Sequence, residues 1–197
     1  MKLLKLLPPA ALLLVGASVL LKNNVTKPVL GSSAVRPSTT QEAPPPISEP
    51  WQVIRVSDGD TIAVKNDSGA EMKVRFCGID APEKSQPLGQ DSRRNLQTLV
   101  DEAKKQVMIT SIETDRYGRT VGEVFTAVQG REKFLNEEQL TSGMGYYYAQ
   151  YASKCPNHSA LEKAEAIAKS GRKGVWSGNY QRPWDYRKEQ RSGRNRN

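Results

Sequence analysis

Residues 51–80, WQVIRVSDGDTIAVKNDSGAEMKVRFCGID, alternate β-branched or apolar side chains with polar ones and are broken by Asp-Gly and Ser-Gly turn signals. That pattern predicts a meander of three short strands. Residues 106–127, QVMITSIETDRYGRTVGEVFTA, repeat it, with Tyr117-Gly118 as the turn between a fourth strand and a fifth. Between the third and fourth strands, GQDSRRNLQTLVDEAKK places Leu96, Leu99, Val100 and Ala103 at helical spacing, with Asp91 or Ser92 as N-cap. A second helix is expected over residues 135–142, stopped by Gly143. A third runs through SALEKAEAIAKSGRKG with Leu161, Ala164 and Ala168 on one face, ended by Gly171 or Gly174. Five strands suit a small barrel, so the pattern predicts an α+β, mainly β, domain with three helices packed around it.

The ends of the chain do not share this pattern. Residues 6–21 form an apolar run behind Lys2 and Lys5 and ahead of Lys22, the layout of an export signal. Its length lies between a signal-peptide core and a full membrane span, so residues 1–22 read as a signal cleaved near Ala17 or as a retained membrane anchor. Residues 23–50 are rich in Ser, Thr, Pro, Gln and Glu and are expected to be a disordered linker. Residues 51–178 form the folded domain. Residues 179–197 form a basic tail, with order beginning around Trp184 and Tyr186. The chain has 197 residues, enough for one ordinary domain plus tails, and neither repeats nor heptads, which excludes fibrous, repeat and polytopic membrane classes.

Charge is distributed unevenly. The 29 basic and 21 acidic residues give +8, yet residues 51–181 hold eighteen and seventeen of them while residues 182–197 hold six and two. The basic end fits either a polyanion partner such as nucleic acid or a solvated tail at a membrane surface. Cys77 and Cys155 match no zinc or thioredoxin spacing; an exported protein permits a disulfide between them, but nothing in the sequence brings them together, and two separate thiols are the slightly favoured expectation. The single histidine, His158, reads as a helix-start residue.

The chemistry-bearing residues cluster at strand ends. Asp58-Gly59-Asp60-Thr61 lies between two strands, and Ile79-Asp80-Ala81-Pro82-Glu83 ends the third. Arg75 precedes the second acidic group, and Asp115-Arg116-Tyr117-Gly118-Arg119 adds arginines on a tight turn. Paired acids with arginine forks suit phosphate. In the order DGDT, VRFCGIDAPE, TDRYGR and a closing helix ending in VW, the chain resembles the staphylococcal nuclease (thermonuclease) family over about residues 53–176.

The resemblance implies an OB-fold five-stranded barrel with three packed helices. By motif position it implies Asp60, Asp80 and the backbone carbonyl of Ala81 as ligands of calcium, a hard cation that accepts irregular oxygen sets. It implies Glu83 as the general base, or as the group that orients the attacking water, and Arg75 and Arg119 as the phosphate grip. Arg116 and Tyr117 match residues beside the nucleotide, and Tyr151 matches one of two base-flanking tyrosines. The second of those positions reads as Ala149, for which Tyr146, Tyr147 or Tyr148 are the neighbouring substitutes. The expected activity is hydrolysis of DNA and RNA with 3′-phosphate products by an exported monomer, with membrane attachment through residues 6–21 left open and no protein partner implied. The competing expectation is an OB-fold module that binds nucleic acid without cutting it.

Overall fold

A computed structural model of the chain describes residues 50–194; the signal or anchor segment and nearly all of the linker lie outside the described residues. The strands are β1 (Trp51–Asp58), β2 (Thr61–Lys65), β3 (Glu71–Phe76), β4 (Ile79–Asp80), β5 (Gln106–Thr114), β6 (Thr120–Val128), β7 (Arg131–Phe134) and β8 (Tyr146–Tyr147). The helices are α1 (Gly89–Glu102), α2 (Leu135–Thr141), α3 (Ala149–Ala152), α4 (His158–Ser170) and α5 (Pro183–Arg194), with a 3-10 turn at Gly174–Trp176.

Five strands make the barrel. They run β3-β2-β1-β5-β6, and β6 returns to pair in parallel with β3 through Val74 and Thr120, Arg75 and Val121, and Phe76 and Gly122. Closure leaves this circuit without an open edge, and β7 adds a hairpin to β6. Strand β1 bends to allow closure: its register against β2 shifts between Val53 and Arg55 and again between Val56 and Asp58. Val53 and Val56 therefore both point inward although three residues apart. They join Ile62, Val64, Val74, Phe76, Val107 and Val124 in one core, which Leu96 and Val100 of α1, Leu135 and Leu140 of α2 and Leu161 of α4 cover.

Two expectations need correction. Helix α1 begins after Leu88, with neither Asp91 nor Ser92 as its cap. Both side chains are committed elsewhere, Ser92 Oγ donating to the Met144 carbonyl and Asp91 pairing with Arg94. The start is fixed instead by Gly89, where a Cβ would come within 1.9 Å of the Glu83 carbonyl oxygen. The cysteines also differ from expectation: Cys77 and Cys155 form a disulfide, with Cα atoms 5.9 Å apart. Barrel closure carries the end of β3 to the segment before α4, a proximity that a separation of 78 residues does not reveal.

Candidate active site

One open cleft of about 860 Å³ gathers all nine residues singled out by the sequence: Asp60, Arg75, Asp80, Ala81, Glu83, Arg116, Tyr117, Arg119 and Tyr151. The β1–β2 turn brings Asp58 and Asp60, β3 brings Arg75, and β4 with the loop after it brings Asp80, Ala81 and Glu83. The β5–β6 turn supplies the arginines and Tyr117, while the segment around α3 supplies Tyr151. Buried side chains anchor these loops. Gln139 of α2 donates to the Gly59 carbonyl at 2.6 Å, inside the first acidic turn. Asn136 donates to the Cys77 carbonyl at 2.9 Å and accepts from the Val124 N–H, tying the approach to Asp80 to β6.

Arg75 lies at the centre of the acids. Its Nη1 is 2.6 Å from Asp60 Oδ2 and its Nη2 donates to Asp80 Oδ1 at 2.8 Å. Nη1 is buried against Asp60, so the guanidinium is held between the two acids that bracket it. Burial and then the neighbouring Asp60 push the Asp58 carboxyl up to about 7. Burial raises Asp80 as well, against the lowering effects of Arg187 and Arg75. A crowded, poorly hydrated acidic cluster of this kind favours a cation.

The oxygen-rich lining of Asp60, Asp80 and the Ala81 backbone suits a hard cation. Among the described residues Asp60 accepts from the Thr61 hydroxyl through Oδ1 at 3.0 Å and from the Ala81 N–H through Oδ2 at 2.6 Å, its Oδ2 faces Arg75, and its carboxyl shares a side-chain hydrogen bond with Asp58. Among the described residues Asp80 Oδ1 accepts from both Arg75 and Arg187, but Oδ2 accepts from Arg187 alone, at 2.7 Å. Each carboxylate oxygen has room for about two donors. One position therefore stays open on Asp80 Oδ2. Among the described residues no three acidic, imidazole or thiol side chains form a complete cage, so such an ion would take its remaining ligands from Ala81 and water.

Arg119 lines the facing wall, its guanidinium oriented by Asp115 through Nε at 2.8 Å and Nη2 at 2.7 Å. Tyr117 lies beyond it, 68% exposed, with the Arg116 and Arg119 guanidiniums 4.9 and 5.6 Å from its ring centroid. Tyr151 has an aromatic companion in the cleft, and it is Tyr148 rather than a residue at position 149: their ring centroids are 4.9 Å apart, edge to face.

Asp58 of the DGDT motif and Tyr148, one of the three expected substitutes, also line the cleft, together with two residues to which the sequence assigned no part in the site, Trp184 and Arg187. The last two lie on α5, within the expected tail. Their signal was present, since Pro183 suits the first position of a helix and Trp184, Arg187 and Arg191 follow at i, i+3 and i+7. Trp184 stacks on Tyr148, with centroids 5.1 Å apart and planes 3° from parallel. Arg187 reaches Asp80 and Glu83.

Residues 73–178 match the family described as staphylococcal nuclease homologue. The chain is 34% identical over 150 residues to the micrococcal nuclease of Shigella flexneri, covering 73% of this chain and 83% of that protein. It is 36% identical over 128 residues to an uncharacterized endonuclease of Haemophilus influenzae, covering 65% and 66%. It is 33% identical over 145 residues to a probable staphylococcal-like nuclease of Oryza sativa subsp. japonica, where the match spans 73% of this chain but only 34% of the plant protein. With a closed five-stranded barrel, the acidic turns and the arginines in one cleft, and kinship over more than half its length, the chain belongs to the staphylococcal nuclease family.

Proposed function

We propose that this nuclease-family chain is an exported, calcium-dependent hydrolase of DNA and RNA with little sequence choice, which breaks the bond to the 5′ oxygen and leaves 3′-phosphate ends. The observation that supports it most is the meeting of Asp60, Asp80, Glu83, Arg75 and Arg119 in one open cleft. Asp60, Asp80 and the Ala81 carbonyl are the cation's holders. When bound, calcium supplies positive charge against the phosphate and a reservoir of coordinated water.

The chain's own side chains carry the rest. Glu83 has one oxygen engaged by Arg187 at 2.8 Å, which leaves Oε2 to take a proton from the water that attacks phosphorus. Arg75, held between Asp60 and Asp80, meets the phosphate from one side, and Arg119, aimed by Asp115, meets it from the other. Their planar donor pairs match the charge that grows on the equatorial oxygens, a fit that a lysine ammonium lacks. Tyr117, Tyr148 and Tyr151 offer aromatic faces to unstacked bases, which suits single strands of any sequence. One chain supplies every side chain of the site, so a monomer suffices. The Cys77–Cys155 disulfide supports an oxidising destination, in agreement with the export pattern of residues 1–22.

The test is degradation of single-stranded DNA and RNA by the full-length chain with calcium or with a chelator, beside Glu83→Gln and Arg119→Lys. Cutting should require calcium and fall by at least about 100-fold in each variant. The products should accept a 5′ phosphate from a polynucleotide kinase without prior dephosphorylation, because their 5′ ends are hydroxyls. A folded wild-type chain that binds the strand and leaves it whole would instead establish the binding module.

A further inference from the structure

The acidic loop of the cleft is fastened to the C-terminal helix at three places. Arg187 of α5 donates from Nη1 to Glu83 Oε1 at 2.8 Å and to Asp80 Oδ1 at 3.1 Å, and from Nη2 to Asp80 Oδ2 at 2.7 Å. Tyr186 shares a 2.8 Å hydrogen bond with Ser85, and Gln86 Nε2 donates to the Gln181 carbonyl at 3.0 Å, just before the helix. Trp184 secures the same helix from the other side, stacked on Tyr148 and edge-on to Tyr146. We propose that Arg187 is a positioning residue of the active site, a guanidinium bridge delivered by α5 that holds the Glu83 carboxylate at a fixed place relative to Asp80. The inference rests on the hydrolytic role proposed above for Glu83.

Glu83 needs such a partner. Its side chain is 38% exposed, on a loop between β4 and α1, and the described hydrogen bonds give its carboxylate no donor other than Arg187. A glutamate so placed spreads over several rotamers, and a displacement of about 1 Å at a reacting group costs on the order of 100-fold in rate. The bridge removes that freedom while leaving Glu83 Oε2 without a donor among the described residues, so it is compatible with a proton acceptor there. Both N–H groups of Arg187 Nη1 are spent on carboxylates, which distinguishes its task from the phosphate grip of Arg75 and Arg119. A lysine places one ammonium where two carboxylates must be spanned and cannot reproduce the fork.

The experiment is a double-mutant cycle in the full-length chain: wild type, Arg187→Ala, Glu83→Gln and the double variant, assayed with calcium on single-stranded DNA. In parallel, binding is measured by fluorescence anisotropy to an oligonucleotide whose linkages resist hydrolysis. Arg187→Ala should lower kcat on the order of 100-fold, leave the oligonucleotide affinity within about threefold, and cost nothing further once Glu83 is Gln. Guanidinium ion at sub-denaturing concentration should restore part of the lost kcat in Arg187→Ala and none in the double variant.

Should Arg187→Ala melt too early to assay, Arg187→Lys takes its place with the same expected cycle. Unchanged kcat overturns the inference. So does a rise in kcat, which would make α5 a removable cover of the cleft, and so does an equal loss in the Glu83→Gln background with weakened oligonucleotide binding, which would make Arg187 a phosphate contact. An inactive wild-type chain removes the hydrolytic reading itself and this inference with it; an active wild type insensitive to position 187 removes the inference alone.

Discussion

Asp115 shows how one side chain sets another. It accepts from the Tyr117 and Arg119 N–H groups at 2.9 and 3.0 Å, closing the β5–β6 turn, and its second oxygen aims the Arg119 guanidinium at the cleft. Burial opposes its ionisation, but the bonds from Arg119 and Tyr117 outweigh that and hold its carboxyl below the ordinary value of 3.8. A carboxyl depressed in the folded state stabilises the fold above the unfolded value, and that contribution is lost as the pH falls through the folded one. Asp115→Asn should therefore lower the melting temperature at neutral pH, and the gap to wild type should narrow steadily below about pH 4. Melts recorded from pH 7 to pH 2 check this, and a gap of constant size would exclude the ionised Asp115 as its source. The residues of this turn, like Asp60, Arg75, Asp80 and Glu83, were legible because each stands in a short motif at a strand end. Gln139 was not: a wholly buried amide in α2 reads in sequence as one more polar position, and only folding shows it clamping the Gly59 carbonyl.

Among the elements, those with strong periodicity matched expectation. The five barrel strands and the helices α1, α2 and α4 follow from apolar spacing, because burial on one face dictates both the period and the partner. The register shifts in β1 and the start of α1 did not follow, since both are set by contacts made across the fold: barrel curvature in one case, the approach of Gly89 to the Glu83 carbonyl in the other. Helix α5 was legible only as order beginning around Trp184 and Tyr186, not as a wall of the cleft. Its sequence PWDYRKEQRSGR is too polar to announce a core-facing stripe, and its inward face is instead one tryptophan and two arginines set against tyrosines and acids. Trp184 is then the main apolar anchor of the helix. Trp184→Ala should loosen α5 by about 1.5 kcal/mol, so that its amide hydrogens exchange about tenfold faster while those of β1, β2 and β5 keep their wild-type rates. Equal acceleration throughout the barrel would show that Trp184 belongs to the common core instead.

For the molecule as a whole, topology decides what is near what. The sequence resemblance carried the barrel and the convergence of the acidic and arginine motifs, while the disulfide became visible only once β3 and β6 had closed. That bond ties Cys77, three residues before Asp80, to Cys155, four residues after Tyr151, and so joins the acidic and aromatic sides of the cleft. The turn beside it has little slack: Gly78 has φ +73°, and a Cβ there would lie 2.6 Å from Leu161 and 3.0 Å from Cys155 Sγ. A crosslink between residues 78 apart restricts the unfolded chain strongly, by roughly 4 to 5 kcal/mol in the chain-entropy account, and losing one from a small domain costs about 2 to 5 kcal/mol. Urea unfolding of the oxidised chain and of the Cys77→Ala, Cys155→Ala double variant should differ by that amount. The urea dependence should also steepen in the variant, because an unlinked unfolded chain exposes more surface. Coincident unfolding curves would mean that the barrel and α4 already hold these segments together, leaving the disulfide no part in the stability of the cleft.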